Sequence, residues 1–124
     1  MASTPEKKVK DAVAKILKEY GAYYFYPATG GFGRSGVFDI VICLKGYFIG
    51  VECKATCKNA PTLLQSRNAT HAKTANGLVL LVHNGNIPEF RATIERIYNG
   101  ESVGFIGESI WPFDGVIDSK INTP

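Results

Sequence analysis

The chain has no apolar run approaching the length of a membrane-spanning helix. Its opening, Met1-Ala2-Ser3-Thr4-Pro5, leads into a charged helix rather than the apolar core of a signal peptide, which points to a cytoplasmic protein. Internal repeats, low-complexity tracts and linkers are absent as well. Repeat arrays are thereby excluded, and the 124 residues read as one domain spanning 1–124, with a core over about 5–83 and a C-terminal helix and tail over about 87–124. Charge of one sign is scarce: 14 Lys and Arg against 11 Asp and Glu leave +3, compatible with nucleic acid but not demanding it. Cysteine is sparse and odd in number. Cys43 and Cys53 fall in apolar strands and read as reduced small hydrophobes, and Cys53, Cys57 and His71 match the spacing of no zinc module. The glycine-rich loop lacks the Walker Lys-Ser/Thr and no helix follows it, so it does not read as a nucleotide cradle. What is present, 45% hydrophobic and 20% charged residues, describes a globular core.

The first helix is marked by Val9, Ala12, Val13, Ile16, Leu17 and Tyr20 on one stripe. Ser3 or Thr4 caps it, Pro5 suits its first turn, and Gly21 ends it. Glu6 complements the helix dipole and pairs with Ser3 as a capping box, while Lys7, Lys8, Lys10, Lys15 and Lys18 form a solvated face. A short aromatic strand, Ala22 to Tyr26, is closed by Pro27; its rings read mostly as core, with base stacking as the other use of tyrosines at a strand end. The loop from Ala28 to Gly36 follows, where Arg34 is placed to reach a phosphate. Further on, Pro61 opens a helix to about Ala75, and Leu78-Val79-Leu80-Leu81-Val82 is a fully apolar strand in parallel pairing. Pro88 starts another helix, ended by Gly100. The tail carries Phe105, Ile110, Trp111 and Phe113, which either cap the core or meet a second subunit.

The chemistry concentrates between these elements. Two apolar β-branched and aromatic runs, Val37 to Cys43 and Phe48 to Cys53, flank Leu44-Lys45-Gly46-Tyr47. A two-residue loop at Lys45-Gly46 sets Leu44 against Tyr47 and, counting outward, Asp39 against Glu52 on one face. Alternation adds Lys54 to that face and turns Val51 and Cys53 away. A three-residue loop with Gly46 in a bulge would shift this register by about one residue. Both strands are so apolar that a sheet covered on both faces is expected. An ion pair at a sheet edge would account for Glu52-x-Lys54 alone. Two buried carboxylates beside one ammonium leave net negative charge, however, which a divalent cation such as Mg²⁺ or Mn²⁺ removes.

Asp39, the hairpin and Glu52-Cys53-Lys54 resemble the core of the PD-(D/E)xK nucleases. The approach Gly33-Arg34-Ser35-Gly36-Val37-Phe38-Asp39, with Gln65 on the following helix, is similar more narrowly to the VRR-NUC (virus-type replication-repair nuclease) branch, in its stand-alone phage or bacterial type. The likeness covers roughly the first eighty residues and departs at Phe38, where the family usually has Pro. It implies an α/β fold with a restriction-endonuclease-like αβββαβ core, a central mixed sheet flanked by helices. It also implies a bacterial cell or phage-infected host. Asp39, Glu52, Lys54 and Gln65 become the catalytic set. Asp39, Glu52 and the Cys53 backbone carbonyl become the ligands of Mg²⁺ or Mn²⁺, with Glu6 at the position of an acid that helps hold metal. Arg34, Ser35, Lys58, Arg67 and Lys73 become DNA contacts.

The implied activity is metal-dependent hydrolysis of DNA phosphodiesters, structure-selective on branched DNA in the manner of Holliday-junction resolvases, by a homodimer. A flap or single-strand nuclease is the nearest alternative. A catalytically silent nucleic-acid-binding module and a metal-free structural subunit stand outside that class.

Overall fold

The computed structural model describes residues 3–28 and 36–101. Arg34, Ser35 and the apolar tail, on which expectations were placed above, lie outside these residues. The elements run α1 (Pro5–Glu19), β1 (Tyr23–Phe25), β2 (Ile40–Leu44), β3 (Tyr47–Cys53), α2 (Leu63–Thr74), β4 (Leu78–Val82) and α3 (Ile87–Tyr98). The four strands form one mixed sheet in the order β1-β2-β3-β4: the first two pairings are antiparallel, and β3 lies parallel to β4. Among the described residues no helix is long and apolar enough to cross a membrane.

The hairpin has the two-residue loop. Leu44 pairs with Tyr47 and Ile40 with Val51, and both loop residues adopt positive φ, 53° at Lys45 and 86° at Gly46. Two positive φ values make the turn whose twist matches the strands. Lysine tolerates this less readily than asparagine, but its ammonium sits 5.1 Å from the centre of the Tyr98 ring at the end of α3.

One core lies between the sheet and the helix pair α1–α3. It holds Val9, Val13, Ile16 and Leu17 of α1, Phe90, Ile94 and Ile97 of α3, and the facing residues Ile40, Ile42, Ile49, Val51, Cys53, Leu78, Leu80 and Val82. A smaller cluster under α2 contains Phe38, Ala69, Val79 and Leu81. The covering is therefore unequal, and the expectation of two fully covered strands is corrected. The twelve residues of α2 reach about 18 Å and shield β3 and β4, leaving Cys43 and Phe48 exposed near the turn. Cys43 is accordingly a surface thiol rather than a core hydrophobe. The aromatic strand is also corrected: Tyr23 and Phe25 are exposed on a three-residue edge strand, Tyr26 is exposed just beyond it, and Tyr24 is the ring that packs against the core.

Two helix starts differ from expectation. Thr4, one of the two expected candidates, caps α1 and accepts from the Lys7 N–H, and what differs is that Glu6 completes no capping box with Ser3. Pro61 precedes rather than opens α2. Thr62 caps that helix in a box with Gln65, whose Oε1 accepts from the Thr62 N–H at 2.8 Å while the Gln65 N–H donates to Thr62 Oγ1 at 3.1 Å.

Candidate active site

The entry of β2, the exit of β3, the first turns of α1 and the start of α2 meet at one end of the sheet, and each brings a polar side chain. Asp39 immediately precedes the first ladder pair, Ile40 with Val51, so the same register carries it to Glu52. Its Oδ2 accepts from the Cys53 N–H at 2.8 Å, which fixes the carboxyl across the hairpin. Phe38 sets the position from the other side. Its ring covers Gly50, where a Cβ would fall 2.4 Å from the nearest ring carbon, and it packs tilted against Phe48 at 6.3 Å between centroids. The residue standing where the resembled family has Pro is thus a 5% exposed anchor for the strand entry.

Glu52 is the anomalous group. It is 2% exposed in the middle of an apolar strand, and its Oε2 is buried with no hydrogen-bond partner among the described residues. Burial, a hydrogen bond that the protonated carboxyl donates to Asp39, and the Asp39 charge push Glu52 up to about 9, against a smaller opposing pull from Lys54. A buried acceptor without a partner is costly, so this oxygen marks a place where something else belongs. Lys54, half-buried one residue past β3, donates from Nζ to Gln65 Oε1 at 3.1 Å. Gln65 therefore serves twice: it closes the cap of α2 and holds the ammonium.

A residue treated above as solvated surface joins this set. Lys10 Nζ lies 3.6 Å from Asp39 Oδ1 and 3.6 Å from Glu6 Oε2. The available signal was spacing, because Lys10 is four residues past Glu6 and shares its helix face. Glu6 is consequently paired with Lys10. Among the described residues no group of three or more His, Cys, Asp and Glu side chains gathers to hold a metal, which also disposes of Cys53, Cys57 and His71 as a zinc set. The Cys53 thiol points into the α1–α3 core, where burial pushes it well above the usual thiol range.

The donors that remain suit a hard divalent ion: oxygen atoms of Asp39 and Glu52 and the nearby Cys53 carbonyl, with an orphaned Oε2 that such an ion would satisfy. Among the expected DNA contacts, Lys58 and Arg67 are exposed and Lys73 is half-buried on α2. Neither Lys58 nor Arg67 takes part in the hydrogen bonds that tie the cluster together. Beside the cluster, Phe25, Pro27, Val37, Phe38, Phe48 and His71 line an open, mainly apolar groove of about 430 Å³.

No family model, curated protein or solved structure matches this chain.

Proposed function

We propose that the chain is a Mg²⁺- or Mn²⁺-dependent DNA endonuclease with a restriction-endonuclease-like core of the VRR-NUC type, acting as a homodimer on branched DNA. One observation carries the reading. Glu52 is a buried carboxyl paired with Asp39 across a hairpin, with an oxygen that nothing satisfies among the described residues. A structural ion pair would leave that oxygen unsatisfied, whereas a bound divalent ion would satisfy it.

Asp39, Glu52 and the Cys53 carbonyl would hold the ion, which when bound supplies a Lewis acid that acidifies a water and offsets charge on the scissile phosphate. The Cys53 N–H keeps Asp39 turned toward the site. Glu52 must shed its proton to act as a ligand. Lys54, steered by Gln65, orients the attacking water and faces the negative charge that develops at phosphorus. Exposed Lys58 and Arg67, together with Lys73, would meet phosphates away from the cut and set register rather than sequence.

The aromatic groove favours one variant of this reading, cleavage near an unpaired nucleotide, since exposed rings stack on splayed bases. The test is incubation of the purified protein with a four-way junction, a flap and a linear duplex, each with Mg²⁺ and with chelator. Cleavage that needs the ion and prefers the junction or flap is the expected result. Asp39→Ala, Glu52→Ala and Lys54→Ala should each abolish it while leaving a folded domain, and full activity in any one of them would discard the assignment.

A further inference from the structure

Lys10 is the group in the cluster that the proposed chemistry leaves without a task. It arrives from α1, which supplies no ligand in the proposed set, and its side chain is only 31% exposed. Its ammonium lies 3.6 Å from the outer oxygen of Asp39 and 3.6 Å from Glu6, so it bridges the two carboxylates. Asp39 is then engaged at both oxygens, by the Cys53 N–H at Oδ2 and by Lys10 at Oδ1. In nucleases with two ions about 3.5–4 Å apart, a shared carboxylate has a cation at each oxygen. Here one of those places is taken by a side chain.

We propose that Lys10 is a built-in second cation and that the site takes one divalent ion per chain, not two. The inference rests on the metal-dependent reading above. Charge supports it. Glu6, Asp39 and Glu52 against Lys10 and Lys54 leave one negative charge when all are ionised. A single divalent ion reverses that to one positive, whereas a second would raise it to three positive in a half-buried pocket. Lysine suits the role because its ammonium is a compact point charge that can sit between two carboxylates without the bidentate geometry arginine imposes. Glu6 thereby gains a purpose: it fixes Lys10 over Asp39 rather than holding metal itself.

The experiment counts Mn²⁺ bound per folded chain, by calorimetric titration and by the loss of the free-ion electron paramagnetic resonance signal, without DNA. The wild type should bind one ion. Lys10→Gln, which removes the charge and frees Glu6 and Asp39 Oδ1, should bind two, and Glu6→Gln added to it should return the count to one. Two ions on the wild type, or a single ion on Lys10→Gln at any affinity, overturns the Lys10 assignment and leaves the metal reading standing. No binding to the wild type removes the metal reading and this inference with it. Thermal melts of each variant confirm that folded protein is being counted.

Discussion

Glu52 combines two demands that conflict. As a carboxylate it is needed by the proposed ion, and as a buried side chain it is held in the protonated form. Between the ordinary carboxylate value of 4.5 and about 9, the folded chain keeps a proton that the unfolded chain releases. Stability of the metal-free protein from this group is therefore complete below pH 4.5 and declines as pH rises through that window. Thermal melts in chelator from pH 5 to 9 should show the midpoint falling. Glu52→Gln, which keeps the shape and cannot ionise, should flatten the profile and raise the midpoint at pH 8 by several degrees while destroying activity. A wild-type profile parallel to that of Glu52→Gln would show that the carboxyl is not held neutral. The same proton must leave when the ion arrives. Mn²⁺ titrated at pH 7.5 in two buffers of different ionisation enthalpy should thus release close to one proton per ion, and affinity should climb about tenfold per pH unit below 9.

At the scale of elements, the hairpin and α2 divide the work of placing these groups. The positive-φ Lys45–Gly46 turn locks the register, and Phe38 on Gly50 locks the strand entry, so Asp39 meets the Cys53 N–H. Gly50→Ala drives a methyl into the Phe38 ring and should cost about 1–3 kcal/mol by denaturant melts, with cleavage lost beyond what the unfolded fraction explains. Thr62→Ala removes one half of the capping box and should cost about 1 kcal/mol. Because Gln65 also holds Lys54, the same change should lower the turnover number more than it weakens DNA binding. An unaltered turnover would separate the cap from the site. Sequence reasoning reached the hairpin register because period-2 alternation and loop length suffice for it. It missed the exposure of Cys43 and Phe48, since a sheet face is dry only where a helix of finite length covers it.

Across the whole molecule, α1 and α3 close one side of the sheet while the shorter α2 covers part of the other. The polar cluster sits at the end where three of the layers' edges meet. An ion held there by the hairpin ligands, which Lys10 of α1 and Gln65 of α2 brace through Asp39 and Lys54, should stabilise the fold as a unit. Mg²⁺ at about a hundred times its dissociation constant should add about 2.7 kcal/mol, seen as a raised melting midpoint reversed by chelator. Asp39→Ala should abolish that shift, and a shift that survives the substitution would place the ion elsewhere.

Three things followed from the sequence by itself: the first helix from its 3.6-residue stripe, the parallel fourth strand from the helix set between two apolar strands, and the opposition of Asp39 and Glu52 from a two-residue turn. Each is a local rule whose period or count is written in neighbouring residues. Tertiary structure alone decided that Lys10 lies over Asp39, that Gln65 reaches Lys54, and that Glu52 Oε2 is left without a partner. Those facts depend on how far apart packed elements come to rest, a distance fixed by side-chain volumes from distant parts of the chain, which no local pattern encodes.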